Sequence, residues 1–186
     1  MILPIVAFGT SILRKKCVEI TPDYPELETL LANMWETMYE AHGVGLAAPQ
    51  INKGIRLFLI DTTPFIDDEE ETEEVIVKKV FINAIIIEET GEDRDFNEGC
   101  LSIPDVREDV SRKPTITIEY MDENFKKHTD TYDGITARII QHEYDHIDGI
   151  LFIDKLSALR KRMIKGKLID ISKGKVNVSY KMRFAR

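Results

Sequence analysis

In the run Gln141-His142-Glu143-Tyr144-Asp145-His146, two histidines stand four residues apart. On a helix, positions i and i+4 share one face, so both imidazoles can aim a ring nitrogen at a single metal ion. Glu143 follows the first histidine and can reach a water on that metal, taking its proton as general base. The plainer alternative is a pair of surface histidines on an amphipathic helix, because so short a pattern also arises by chance. The third ligand separates the architectures. A three-histidine extension of the pattern needs histidine at 152, where this chain has Phe152, and no glutamate follows Glu143 to serve as a downstream ligand. Asp154 and Asp170 are conceivable ligands without a supporting pattern, while His42 and His128 lie in no motif and read as ordinary surface or hydrogen-bonded side chains. Cys100, in Asn97-Glu98-Gly99-Cys100-Leu101-Ser102, can complete the set. Two histidines and a thiolate leave a fourth position open to water, as a catalytic site requires. The alternative for Cys100 is a buried free thiol.

A third string, Gly43-Val44-Gly45-Leu46-Ala47-Ala48-Pro49-Gln50, suits a turn into an extended edge where another peptide backbone can lie alongside. Gln50 offers an uncharged amide donor for a developing oxyanion. Alone, the string also fits a tight helix-to-strand turn, and it lacks the lysine of a phosphate-binding loop.

These residues need elements to hold them. Leu27, Leu30, Leu31, Met34, Trp35 and Met38 form one apolar helix face behind a start at Thr21–Pro25, and Gly43 reads as its C-terminal cap. Strands are expected at Ile55–Asp61, Val75–Ile82, Ile85–Glu88 and Thr115–Met121, the last pairing with Lys126–Tyr132 as a hairpin. A second helix spans about Gly134 to Ile147. A third begins at Ser157 and carries Leu159, Met163 and Ile164 inward. Strands grouped between helices, without βαβ alternation, point to an α+β fold.

The chain has 186 residues, room for one domain with a sizeable core. Its net charge of −8 argues against a surface built wholly for nucleic acid or anionic membrane. Apolar runs such as Ile150-Leu151-Phe152-Ile153 fall far short of the roughly 20 residues that cross a bilayer, and Met1-Ile2-Leu3-Pro4-Ile5 lacks the basic start of a signal peptide. With only Cys17 and Cys100, a disulfide scaffold is not indicated, and Cys17 reads as a buried, inert thiol. Asp67–Glu74 is almost wholly acidic and reads as a solvated loop. Residues 155–186 carry eleven basic side chains against the single acid Asp170, a charge that can pair with the acidic body or reach a polyanion such as RNA.

Taken in order and approximate spacing, the strings Gly43–Gln50, Glu98–Ser102 and Gln141–His146 resemble the three signature strings of the peptide deformylases. The resemblance runs from about Ile2 to Leu168, with 62–74 as a loop elaboration, and it implies a catalytic domain over 1–170 followed by a basic tail over 171–186. It implies antiparallel strands around a central metal-binding helix, and an enzyme that removes the formyl group from the formyl-methionine of new polypeptides as formate. By the same resemblance, Cys100, His142 and His146 hold the metal and Glu143 is general base and acid, while Gln50 and the Leu101 N–H stabilise the oxyanion. Val44 and Gly45 would pair with the substrate backbone, Ile135 and Ile139 would wall the methionine pocket, and Arg107 would stand near its rim. Arg138 stands where some relatives have an aliphatic pocket residue; it is expected to lay its stem on the pocket and its charge outside. Ligand chemistry points first to zinc. The family usually works with Fe(II), with nickel, cobalt or zinc able to occupy the site. The implied partners are N-formyl-methionyl nascent peptides in the cytoplasm and, through the basic tail, the ribosome, with no membrane and no specific DNA. The rival readings are a general metallopeptidase and a metal module without activity.

Overall fold

Leu57-Phe58-Leu59-Ile60 has no polar side to turn toward water, and it forms a strand covered on both faces. In a computed structural model that describes residues 1–65 and 76–185, the elements in chain order are β1 (Ile5–Val6), α1 (Leu27–Glu40), β2 (Gly45–Ala47), β3 (Leu57–Asp61), β4 (Lys78–Thr90), β5 (Arg94–Cys100), β6 (Ile103–Arg112), β7 (Thr115–Met121), β8 (Lys127–Tyr132), α2 (Gly134–Ile147), α3 (Ala158–Ser172) and β9 (Met182–Arg183). The acidic run Asp67–Glu74 lies outside the described residues. Strands β2-β3-β4-β7-β8 form an antiparallel sheet in that order, β5 and β6 form a separate hairpin, and β1 pairs with β9 in parallel. Leu57 and Leu59 pack with Leu30, Leu31, Met34 and Met38 of α1. Phe58 and Ile60, on the opposite face, pack with Ala137, Ile140 and Ile147 of α2. The sheet thus lies between the two helices, as expected of an α+β fold.

The helix α2, the period-2 strand β7 with its buried Ile116, Ile118 and Tyr120, and the β7–β8 hairpin agree with the sequence reading. Other expectations need correction. Thr21–Pro25 does not begin α1: Tyr24 N–H closes a turn onto the Thr21 carbonyl, and the helix starts at Leu27 after Glu26 in the left-handed region (φ 54°). Nor is Gly43 the left-handed residue at its end. His42 takes that conformation (φ 54°), while Gly43 N–H reaches back to the Met38 carbonyl at 2.9 Å. The strands expected at Val75–Ile82 and Ile85–Glu88 are one strand, β4, kinked at Asn83 (φ 52°). There the Asn83 side chain accepts from Ile20 N–H (2.9 Å) and donates to the Ile20 carbonyl (2.7 Å). In α3, Ser157 caps the first turn and Ile164 is buried, but Leu159 and Met163 are 67% and 62% exposed. The helix touches the body along Ile164, Leu168 and Ile171, and Leu159 and Met163 fall off that stripe. After α3 the chain folds back onto the body through Val176, Tyr180 and Phe184.

The β5–β6 hairpin was not legible as strand. Along β6 the inward positions alternate regularly, but they are Val106, Glu108, Val110 and Arg112, so charge interrupts the apolar signal. Glu108 is matched by Arg160 at 2.5 Å and Arg112 by Glu98 at 2.7 Å.

Candidate active site

Three elements meet at one cleft of about 700 Å³: the edge strand β2, the turn of the β5–β6 hairpin, and one face of α2. Cys100 ends β5 at a two-residue turn, and His142 and His146 stand one helical turn apart on α2. Their ligand atoms all lie within 4.8 Å of one another, with Cys100 Sγ at 3.2 Å from His146 Nε2. Metal–sulfur and metal–nitrogen bonds of ordinary length in a tetrahedral site set such ligands about 3.5 Å apart, so the set fits a metal ion. The wiring behind it also fits. His142 Nδ1 faces Glu98 Oε2 at 3.0 Å, which leaves its other ring nitrogen for the cleft.

Glu98 is held in turn. Arg112 grips it with two hydrogen bonds (2.7 and 3.0 Å) and reaches Asp145 at 2.6 Å with a third, while Arg138 adds another to Glu98 at 3.0 Å. Burial works to raise the Glu98 carboxyl, but the hydrogen bonds from His142 and Arg112 more than offset it and hold the group well below the usual carboxylate range. Arg138 therefore does not keep its charge outside. It is buried, and its guanidinium also caps the Val110 and Arg94 carbonyls at 2.9 and 2.6 Å. Arg138 does border the cleft. The solvent-facing alternative loses because three acceptors already stand in place inside.

Glu143 is buried beside these three residues, and its Oε2 has no hydrogen-bond partner among the described residues. Burial pushes its carboxyl up to about 7, although the neighbouring His142 acts to lower it. A carboxyl pushed toward neutrality in this way can both take and give a proton. Gly45 makes room for it, because a Cβ there would stand 2.8 Å from the Glu143 Cδ and Cγ. Gln50 sits in the 3-10 turn that follows β2. Its Oε1 accepts from Ala47 N–H (2.8 Å), which turns Nε2 toward Cys100 Sγ (3.6 Å) and Ser102 Oγ (3.4 Å). Leu101 follows Cys100 at the same turn and lines the cleft.

The remaining expected residues border the same cleft: Val44 and Gly45 on the β2 side, Ile135 and Ile139 on α2, and Arg107 at the rim. The Arg107 guanidinium is clamped there by the Asn97 side chain (2.8 Å) and carbonyl (2.6 Å). Strand β2 lies at the edge of its sheet. Asp61 N–H binds the Val44 carbonyl on the inner side (2.9 Å), so strand alternation turns the Gly45 N–H and C=O to the open side. His128 pairs with Asp122 away from the cleft, Cys17 is buried, and exposed His42 stands at the cleft's outer end. Sequence reasoning did not foresee the roles of Glu98, Arg112, Asp145 and Ser102. Glu98 lies in the Glu98–Ser102 motif, but its partners are distant in sequence and become neighbours only through the hairpin.

A family model described as polypeptide deformylase matches residues 2–162. The peptide deformylase of Christiangramia forsetii is 65% identical over 99% of this chain and 96% of its own. That of Flavobacterium johnsoniae is 59% identical over 100% of this chain and 97% of its own. Among solved structures, the peptide deformylase of Thermus thermophilus superposes with a TM-score of 0.82 at 34% identity, covering 94% of this chain and 99% of that one. The Legionella pneumophila peptide deformylase gives 0.79 at 35%, covering 94% and 98%.

Proposed function

Since this chain belongs to the polypeptide deformylase family, we propose that Cys100, His142 and His146 hold its metal and that Glu143, Gln50 and the Leu101 N–H carry its reaction. The enzyme removes the formyl group from the N-terminus of new polypeptides. The observation that carries the assignment is the convergence of the three ligand atoms beside a buried, unpaired Glu143 oxygen and the Gln50 amide, at the open edge of β2.

A divalent metal held by these ligands supplies, when bound, a water acidified toward neutral pKa and a Lewis acid for the formyl oxygen. Every other part falls to the chain. The formylated peptide adds to the edge of β2 through the Gly45 backbone, as an extra strand, beside the Val44 side chain. Its methionine side chain enters the wall formed by Ile135, Ile139 and the Arg138 stem, and Arg107 stands at the rim. Glu143 takes a proton from the attacking water as the new C–O bond forms. Negative charge then gathers on the former carbonyl oxygen, where Gln50 Nε2 and the Leu101 N–H donate to it; losing one such donor typically costs roughly 100- to 1,000-fold in rate. Glu143 returns its proton to the departing nitrogen, the C–N bond breaks, and formate and a free amino terminus remain.

The test is formate release from formyl-Met-Ala-Ser by wild type and Glu143→Ala, side by side without oxygen. At least about a hundredfold loss in the variant is expected; equal rates would remove Glu143 from the role. The metal is Fe(II) in the cell, with zinc, nickel or cobalt able to replace it, and iron absent from protein purified without oxygen would overturn that identity. The substrate sets the work in the cytoplasm beside the ribosome, and residues 171–186 are the basic end of the chain, packed back onto a catalytic domain of 1–170. Within that segment, the exposed Lys173, Lys181 and Arg183 support a transient ribosome contact. Unchanged co-sedimentation with ribosomes after reversing these three charges would dismiss it.

A further inference from the structure

The end of the chain, beyond the family region that stops at residue 162, reaches back into the cleft. Gly174 turns it in the left-handed region (φ 75°), and Val176 and Phe184 pack into the cluster around Phe152 and Ile164. Strand β9 pairs with β1, where Ile5 N–H donates to the Lys181 carbonyl (2.9 Å) and Ala7 N–H to the Arg183 carbonyl (2.8 Å). Between these two anchors, residues 177–180 form one wall of the cleft. The Tyr180 ring is half-buried with Leu101 against the α1 cluster, and its hydroxyl donates to the Leu101 carbonyl at 2.7 Å.

We propose that Tyr180 is a positioning residue for deformylation, holding the Leu101 backbone so that the Leu101 N–H stays aimed at the formyl oxygen. The inference rests on the reading of Leu101 and Gln50 as oxyanion donors. The Leu101 N–H and C=O flank a single Cα at the tip of a two-residue turn between β5 and β6. A turn that short has few internal hydrogen bonds, so its orientation must be set from outside. Ser102 is tied on its side: its carbonyl accepts from Phe8 N–H (2.8 Å) and its hydroxyl from Gln50 Nε2 (3.4 Å). Leu101 is tied by the tail. The donors on which the reaction depends are thereby fixed to one frame made of β1, β9 and the Gln50 turn. Misplacing a reacting or stabilising group by about 1 Å can cost on the order of 100-fold in rate, which is why a contact one residue's backbone removed from the oxyanion matters.

Tyr180→Phe keeps the ring and its packing and removes the hydroxyl. With formyl-Met-Ala-Ser, kcat is expected to fall about 10- to 100-fold, with KM and melting temperature close to wild type. Amide exchange at Leu101 should quicken in the same variant, measured without turnover. Replacement of Tyr180 by 4-aminophenylalanine, which restores an N–H donor at that place, should recover most of kcat. Gln50→Ala is measured alongside. If it is impaired while Tyr180→Phe matches wild type, the positioning role is wrong and the oxyanion reading stands. If neither variant is impaired, both fall. A rise in KM alone, or a loss that follows melting temperature and is not rescued by the amine, would make the tail a substrate wall or a structural strap and overturn the proposal.

Discussion

Toward the sheet, α2 turns Ala137, Ile140 and Ile147 onto Phe58, Phe81, Ile116 and Ile118. Toward the β5–β6 hairpin, the same helix turns Arg138, His142 and Asp145 onto Glu98 and Arg112. Both interiors exclude water, yet they are held by different physics. The apolar side gains with area buried and has no preferred direction, so its members can be exchanged for others of similar volume at modest cost. The ionic side begins with a desolvation penalty of several kcal/mol per charge, offset only if each partner keeps its place. What it gives in return is direction: Glu98 can hold His142 in one ring orientation because Arg112 and Arg138 hold Glu98. One face of α2 secures the fold, and the other aims the proposed metal ligands.

The contrast breaks most visibly at Glu98. Glu98→Ala leaves Arg112 and Arg138 buried with an acceptor missing, and about 3–5 kcal/mol of unfolding free energy should be lost. The freed His142 ring should also lower metal affinity by roughly 10- to 100-fold. Denaturant unfolding of the metal-free protein and a competition titration with a chelator measure the two effects separately. Glu98→Gln, which preserves volume, should lose more in affinity than in stability. If Glu98→Ala unfolded like wild type and bound metal as tightly, the ionic face would be incidental.

A smaller effect of opposite character is expected on the other face. Ile140 is fully buried among sheet residues. Ile140→Ala should cost about 3 kcal/mol through lost burial and the cavity left behind, while kcat of the protein that remains folded stays near wild type. A fall in kcat at temperatures well below unfolding would mean that the two faces of α2 are coupled and that the division between them is too sharp.

The same division decides what was legible in the sequence. The apolar face announced itself by periodicity: the stripe of α1, the alternation of Ile116, Ile118 and Tyr120, and the uninterrupted run of β3 all marked elements that the fold contains. The proposed ligand set can be picked out for a chemical reason, since a histidine pair at helical spacing and a cysteine are residue types that hold a metal. The β5–β6 hairpin escaped because its inward positions carry Glu98, Glu108 and Arg112, which a hydrophobicity pattern scores as outward-facing. The inward turn of Arg138 is hidden for the same reason: its acceptors come from Glu98, Val110 and Arg94, all on that hairpin. In α3, Leu159 and Met163 looked like core because they are apolar, yet the stripe that meets the body is set by Ile164 and Ile171.

The two cysteines sample the two environments, and they offer the finest test of the contrast. Cys17 lies in the apolar cluster of Phe58 and Ile147, with its N–H donating to the Ile147 carbonyl at 2.8 Å, whereas Cys100 opens onto the cleft. Burial pushes the Cys17 thiol up to about 11, against a smaller opposing influence from Arg56. In the unfolded chain the same thiol ionises near pH ~8.5. Between those values the folded state keeps a proton that the unfolded state gives up, so this group's contribution to stability is whole below pH ~8.5 and is lost as pH rises toward about 11. Between about pH 8 and 9.5 the loss amounts to about 1 kcal/mol. It should appear as a difference in slope between wild type and Cys17→Ala in denaturant midpoints across that range, which cancels the other titrating groups. Alkylation at about pH 8 should likewise mark Cys100 of the metal-free protein quickly and Cys17 only at the rate of unfolding. Parallel stability curves for the two proteins, or equal alkylation of both thiols, would show that the sheet side of α2 is open to water and charge, and the distinction between its two faces would fail where it was expected to be cleanest.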